Sequence, residues 1–119
     1  MAIAVLAQRQ AVAAAYGTAA PYGALFTADP GTTGTVVGEA TGGTPAYARV
    51  AIAWSAPNAS SAITGAPVFN VASGTTVTYA GVTVSATAGT ADLRDRVAVT
   101  SQAFASQGTF TVTYTYTQS

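Results

Sequence analysis

The stretch TFTVTYTYT, residues 109–117, decides how this chain folds. Threonine occupies every odd position, and phenylalanine, valine or tyrosine occupies every even one. Because successive side chains of a β-strand point to opposite faces, this alternation predicts a strand with one apolar face and one face of threonine hydroxyls. A shift of one residue would exchange the two faces, so the register of this strand is strongly specified.

Shorter segments of similar character precede it, and Gly, Pro, Asn and Ser residues separate them. We predict strands at residues 22–28, 46–54, 67–71, 75–86 and 93–100, a short strand near residues 35–37, and a loop over residues 55–65. The strand over 75–86 changes phase at Gly81, which favours a β-bulge over a tight turn that would divide it in two.

The strand over residues 46–54 has two faces of different composition. Val50, Ile52 and Trp54 share one parity and are predicted to face the core. A core role for Trp54 is therefore favoured over a sugar-stacking platform. Tyr47 and Arg49 fall on the other parity, and the tyrosine is a candidate for contact with a partner.

The N-terminal region differs from the rest of the chain. Residues 2–16 are rich in Ala, Leu, Gln and Arg, which predicts a helix that Gly17 ends. Residues 1–7 are apolar but no positive residue precedes them, so a signal peptide is not predicted. We divide the chain into an N-terminal helix or docking segment (1–17) and a single β domain (18–119). The helix either docks on a neighbouring chain or covers one end of its own domain.

These elements together predict the fold class. The protein is expected to be mainly β, an antiparallel β-sandwich or small barrel of about six to eight strands with one short N-terminal helix.

Charge is scarce in this sequence. Charged residues make up 7 % of the 119 residues, against roughly 25 % in a typical soluble domain, and the net charge is zero. A chain with so little charge is poorly protected against association. We favour a surface that partner subunits cover; the alternative is a neutral protein kept soluble by its Thr, Ser and Gly residues.

The residue types exclude most catalytic chemistry. Without His, Lys or Cys, the chain has no Ser–His, Cys–His or Ser–Lys nucleophile and no ordinary zinc site. Asp92 and Asp95 form the closest carboxylate pair, but a solvated turn or an ion pair, within the chain or between subunits, is the expected role. We therefore predict no catalytic residue, no cofactor and no metal, and a protein that is not an enzyme.

Two classes of partner are also not expected. Four arginines balanced by four acids provide no basic patch for nucleic acid. No run of roughly 18 apolar residues is present to enter a membrane.

Contacts with other chains are the role left for the exposed side chains. The helix places an arginine on its apolar face, tyrosine is common in interfaces, and residues 92–96 hold half of the charges. The candidate assembly contacts are Val5, Arg9, Tyr16, Tyr22, Asp92, Arg94, Asp95 and Arg96.

Four segments of the sequence resemble a known family. They are LFTADPGTTG (25–34), GGTPAYARVAIAWSAP (42–57), VFNVASGTTVTYAGV (68–82) and QAFASQGTFTVTYT (102–115). Their order and spacing resemble small tail-fibre-like or minor virion proteins of tailed phages of actinobacteria. Residues 82–98 (VTVSATAGTADLRDRVA) depart from the resemblance, because this family tends to carry a Trp and a Gly-rich turn there.

The resemblance implies a virion component with no catalytic residues to carry over. The leading hypothesis is a capsid-decoration or head-attached protein on the outer surface of the particle, a homotrimer that contacts the major capsid protein. A tail-fibre or minor tail subunit that contacts tail proteins and the host surface is the first alternative. A carbohydrate-binding module is the second.

Overall fold

The computed structural model describes residues 3–119, which form one α-helix and eight β-strands. In chain order these are α1 (Leu6–Ala19), β1 (Tyr22–Phe26), β2 (Val50–Ala51), β3 (Ala62–Gly65), β4 (Val68–Val71), β5 (Thr76–Thr83), β6 (Leu93–Ala103), β7 (Gly108–Thr111) and β8 (Tyr114–Thr117).

The strands pair only in antiparallel fashion within the described residues. One sheet has four strands in the order β2-β1-β5-β6, and two ladders of two strands each join β3 to β8 and β4 to β7. The helix packs against β3 and β8. The predicted fold class, a mainly β antiparallel sandwich with one N-terminal helix, is confirmed.

The main core lies between the four-stranded sheet and the two ladders. Its buried side chains come from both the sheet and the ladders. The fully buried ones are Leu25, Phe69, Val71, Val77 and Ala80; Ile52, Val82, Val112 and Tyr114 are nearly as buried. The core combines residues as far apart in sequence as Leu25 and Val112, so it is complete only when the ladders dock on the sheet.

Strand β1 runs through the centre of the fold and is buried on both faces. Leu25 faces the main core, whereas Ala24 and Phe26 join Leu93 in a second cluster. At Gly23 a Cβ atom would lie 2.8 Å from Cζ of Phe69, which is closer than packed atoms allow. Glycine is therefore required there for the aromatic ring to approach the backbone of β1.

The alternation over residues 109–117 holds, but the strand is not continuous. Val112 and Tyr114 are buried and the threonines are exposed, as predicted. The run is divided into β7 and β8, which pair with β4 and β3 respectively. Pro67 lies between β3 and β4 and has no N–H with which to continue a ladder, although its carbonyl still accepts from Val112 N at 3.2 Å.

Three other strand predictions need correction. The strand over 46–54 is reduced to Val50–Ala51, because Tyr47 and Arg49 turn inward to make buried polar contacts. Ala62–Gly65 is a strand where a loop was predicted. No strand forms near residues 35–37; an isolated bridge joins Phe26 to Glu39.

The phase change near Gly81 is a register irregularity and not a turn. β5 continues through it, and its pairing with β6 shifts between Val77 and Tyr79 and again between Val82 and Thr83. A Cβ on Gly81 would lie 2.7 Å from Cδ1 of Leu93. The glycine is needed because β6 and its leucine approach the backbone closely here.

The helix begins and ends later than predicted. It spans Leu6–Ala19, and the predicted first residue, Ala2, lies outside the described residues. Gly17 does not end the helix; it is buried inside it, with its Cβ position 3.1 Å from both Ile63 and Trp54. The glycine therefore provides room for close packing on the β domain. The division at residue 17 stays a prediction.

Candidate assembly site

A buried ion cluster joins three loops at one side of the fold. Arg49 donates through Nε and Nη2 to both carboxylate oxygens of Glu39, at 2.9 and 3.1 Å, and through Nη1 to Asp92 at 2.8 Å. Its remaining donors reach the carbonyls of Ser85 (3.1 Å) and Thr90 (2.9 Å). The Arg49 side chain is 0 % exposed, so these bonds are what make its burial possible.

Tyr47 extends the same cluster into the main core. Its hydroxyl donates to Glu39 at 2.8 Å and accepts from the N–H of Leu25 at 3.2 Å. Burial raises the pKa of Tyr47 well above its usual value. This tyrosine, a candidate contact residue from its parity, is committed to the interior.

The ion cluster makes stability depend on pH. Burial acts to raise the pKa of Asp92, but hydrogen bonds from Ser85 and the Arg49 guanidinium outweigh it, and the pKa is lowered. A lowered folded-state pKa means that the carboxylate stabilises the native protein above its unfolded-state pKa of about 4. That contribution is lost as the pH falls through the folded-state value.

We therefore expect Asp92→Asn to be less stable than the wild type at pH 7 and the difference to shrink as the pH falls below about 4. Chemical denaturation at pH 7, 4 and 2 measures the free energies of unfolding. A difference that stays constant across this range would contradict the role of the charged carboxylate.

The charged side chains at the start of β6 have different environments, since some contact other residues of the chain and one faces solvent. Arg96 contacts Asp29 at 3.0 Å and lies 5.6 Å from the centre of the Tyr79 ring. Asp95 accepts a hydrogen bond from the Tyr16 hydroxyl at 2.9 Å. Arg94 is exposed and makes no ion pair within residues 3–119.

An aromatic cluster attaches α1 to the β domain beside these charges. The Tyr16 ring stacks on Tyr116 with a centroid separation of 3.9 Å and meets Trp54 edge-on at 5.9 Å. Trp54 Nε1 donates to the carbonyl of Ala20 at 3.0 Å. Burial, with the hydrogen bond to Asp95, raises the pKa of Tyr16. The half-buried Trp54 packs against the main core without being one of its buried residues, so the core prediction for it is met only in part.

Removing the hydroxyl of Tyr16 isolates the contribution of its hydrogen bond. We expect Tyr16→Phe to lower the free energy of unfolding by about 1 kcal/mol, since the ring stack stays and one hydrogen bond to a carboxylate is lost. Tyr22→Phe is the matched control, because the Tyr22 hydroxyl makes no hydrogen bond within the described residues; we expect a change below about 0.5 kcal/mol. Equal effects in thermal denaturation would refute the role of the Tyr16–Asp95 bond.

A groove of about 550 Å³ lies between β6 and the C-terminal segment. Residues 95–99 line one wall, residues 112–116 line the other, and the buried residues 80–82 of β5 form the floor. Tyr16 and Trp54 also line it. We call this feature the edge groove.

The structure brings some predicted contact residues to this groove and places others elsewhere. Tyr16, Asp95 and Arg96 line it. Asp92 lies in the ion cluster and Tyr22 pairs with β2 and β5. The remaining three are Val5, which is 65 % exposed, Arg94, which is exposed, and Arg9, which donates to Ser61 and to the carbonyls of residues 3 and 4.

Sequence reasoning missed several residues of this region. Val97, Ala98 and Val99 line the groove, and the parity of β6 gave no reason to select them. Thr113 and Thr115 do so as well, although their parity indicated a face of threonine hydroxyls that is either solvated or paired across a strand. No local sequence pattern marks these residues, because the groove depends on which strands lie at the edges of the sheets.

Two further properties of the described residues bear on function. Residues 3–119 contain no cluster of three or more acidic side chains of the kind that could hold a metal ion. The helix they form is too short to cross a membrane.

Comparison with known proteins identifies the family. No curated protein and no solved structure matches this chain. A family model described as podophage GP4 fiber I protein gp80 matches residues 3–117, which includes the region between residues 82 and 98 where the resemblance was weakest. An actinobacterial host stays a prediction. With nearly its whole length matched, the chain belongs to the podophage fiber I protein gp80 family and is a phage structural protein.

Proposed function

We propose that this chain is a non-enzymatic fibre subunit that lies on the outer surface of a phage particle and assembles with copies of itself. The observation that carries the proposal is the match of residues 3–117 to a family described as a phage fibre protein. The capsid-decoration hypothesis has no comparable support, so the fibre alternative becomes our proposal.

The shape of the chain supports a fibre role. Its principal extents are 47 × 25 × 23 Å, so the body is about twice as long as it is wide. Such a body can be joined end to end or side by side along a fibre axis.

The charge distribution supports a role in assembly. Of the eight charged side chains, Arg49, Glu39 and Asp92 are withdrawn into the ion cluster. Arg96 and Asp29 pair with each other. Little charge is left on the surface to oppose association, which suits a subunit whose surface is covered by neighbours.

The carbohydrate-binding alternative has less support from the geometry. A sugar-binding platform needs a free aromatic face, but the Tyr16 and Tyr116 faces stack on each other. The Trp54 ring lies between Tyr16 and Tyr114, and its N–H is already bonded. We therefore do not propose glycan binding at these rings.

The location on the particle is tested by cryo-electron microscopy of the virion that encodes this chain, with an epitope tag after Ser119 and antibody labelling. We expect label and matching density on fibres that extend from the tail. Label at the lattice points of the capsid would overturn the fibre proposal and restore capsid decoration.

The assembly state is tested separately in solution. We propose a homotrimer, so sedimentation equilibrium of the purified chain should give about three times the 11.7 kDa mass of one copy. A single species of monomer mass at all concentrations would overturn self-assembly but not the fibre location.

A further inference from the structure

Asp95 is the acidic side chain that meets no cation within residues 3–119. Its carboxylate accepts only from uncharged donors, the Tyr16 hydroxyl and the backbone N–H of Arg96, both at 2.9 Å. It is exposed, so water hydrates its charge in a single copy. A neighbour that covered it would have to supply a cation, because a buried charge without a partner is costly. The other acidic side chains each have an arginine nitrogen within 3.0 Å, and they are Glu39, Asp92 and Asp29.

Arg94 is the arginine whose charge is left to solvent. Arg49 and Arg96 are in ion pairs. Arg9 donates to the Ser61 hydroxyl and to two backbone carbonyls of its own chain. Arg94 is exposed and makes no ion pair within residues 3–119. The chain therefore leaves one cation and one carboxylate unmatched at the start of β6.

A β-bulge separates Arg94 from its neighbour Asp95. The residues on either side of Arg94 pair with consecutive residues of β5, Val82 and Thr83, so Arg94 has no partner on that strand. Such a bulge re-aims the side chain that it carries. The carboxylate of Asp95 is directed to Tyr16 at the edge groove instead, and the two neighbours form no ion pair with each other. One copy does not neutralise these two charges, whereas a second copy carries the counter-ion for each.

Uncharged surface lies beside the two ions. Val97 is 55 % exposed and lines the edge groove together with Asp95. It begins the uncharged run VAVTSQA (97–103), in which every residue except Val99 is exposed. An exposed ion pair alone holds two chains weakly, but burial of apolar area beside it adds affinity, and the charges then determine which surfaces meet.

We propose that Arg94 of one copy forms an ion pair with Asp95 of a second copy, and that Val97 packs beside this pair in the contact between subunits. Each copy then presents a cation to one neighbour and a carboxylate to the other, which is a heterologous contact. In the proposed homotrimer one such pair at each contact closes the ring. The inference rests on the proposed self-assembly of the fibre subunit and names residues that carry it.

Side chains make this contact, because the backbone at the start of β6 is already engaged. The N–H of Leu93 donates to the carbonyl of Gly34 at 3.2 Å. Nε of Arg96 donates to the carbonyl of Gly31, also at 3.2 Å. The loop that contains these glycines therefore lies against this end of β6, and a strand from another chain would have to displace it.

Exchange of the two charges tests the pair directly. Arg94→Glu would place two carboxylates at the contact and Asp95→Arg would place two guanidinium groups there. We expect each variant to weaken self-association about ten-fold or more in sedimentation equilibrium, because like charges repel across a contact. The double variant Arg94→Glu/Asp95→Arg has opposite charges again and should associate about ten-fold more tightly than either single variant. A double variant that associates no more tightly than the single ones would overturn the pair.

The net charge of the chain is a competing explanation, because each single variant moves it away from zero and the double variant returns it. Arg94→Ala/Asp95→Ala separates the two explanations, since it keeps the net charge at zero but removes both ions. We expect it to associate about three-fold less tightly, or weaker still, than the exchanged variant. Equal association of these two double variants would assign the effect to net charge and overturn the pair.

Two controls separate the contact from the stability of one copy. Arg94→Glu should melt as the wild type does at concentrations where the copies are dissociated, because Arg94 makes no ion pair in its own copy. Asp95→Arg also removes the bond from Tyr16, and Tyr16→Phe removes the same bond while it keeps the carboxylate. We expect Tyr16→Phe to associate as the wild type does. A loss of association equal to that of Asp95→Arg would assign the effect to helix attachment and overturn the pair.

The outcomes distinguish this contact from the proposed function. A monomeric wild type would overturn both self-assembly and the contact. An oligomer that all of the charge variants leave intact would overturn the contact alone. Neither result changes where tagged chains lie on the particle, so the fibre location is tested independently.

Discussion

Arg49→Leu is expected to lower the free energy of unfolding by about 3–5 kcal/mol, the largest electrostatic effect in this protein. The substitution leaves Glu39 (5 % exposed) and Asp92 (15 % exposed) without the cation that both contact. It also removes the donors to the carbonyls of Ser85 and Thr90, so the loops that meet at the cluster lose their common anchor. Equilibrium denaturation with guanidinium chloride at pH 7 provides the measurement.

Two further variants separate this effect from loss of side-chain volume. Arg94→Leu removes an exposed arginine and should change stability by less than about 0.5 kcal/mol. Adding Glu39→Gln and Asp92→Asn to Arg49→Leu removes the unpaired charges and should restore part of the lost stability. If the triple variant were less stable than Arg49→Leu, uncompensated charge would not be the cause.

Phe69→Ala is expected to lower the free energy of unfolding by about 3–5 kcal/mol through loss of packing. The ring is 0 % exposed, stacks near Tyr47 with a centroid separation of 6.4 Å, and approaches the backbone of β1 at Gly23. These contacts join β4 to both the four-stranded sheet and the ion cluster. The cavity left by alanine could close only if the sheet and the ladder moved together.

Phe110→Ala is the matched control for this prediction. Phe110 lies directly opposite Phe69 in the β4–β7 ladder, but it is only partly buried and packs edge-on against Phe104. We expect its replacement to cost clearly less, because solvent already reaches the ring. Thermal and chemical denaturation of both variants should rank them in this order; the reverse order would contradict the position of the core.

The positions of strands and turns were predictable where neighbouring residues alone determine the backbone conformation. The turn at Ser73-Gly74 and the alternation near the C-terminus each follow from properties of a few neighbouring residues. The β4 and β6 segments were located for the same reason, with ends that shifted by a few residues. Strand β3 was missed because its four residues pair with β8, about fifty residues away.

The contact residues were predictable only in part. Tyr16, Asp95 and Arg96 were selected for their residue type, and they do lie together at the edge groove. The groove itself depends on which strands are left at the edges of the sheets, and that is a property of topology. No local sequence pattern in residues 95–99 indicates that β6 pairs with another strand on one side only.

The alternation of side chains along a strand is a local property, so the sequence of residues 109–117 alone determines which side chains face inward. The reverse orientation would bury the threonine hydroxyls in the core in place of the aromatic rings. The pairing partners of those residues, and the break that divides them between two ladders, depend on where Pro67 and the distant strands lie once the chain is packed. The same holds for Arg49, which has the parity of a surface residue. It is buried because Glu39 and Asp92, ten and 43 residues away, converge on it and compensate its charge in a way that only a folded chain can.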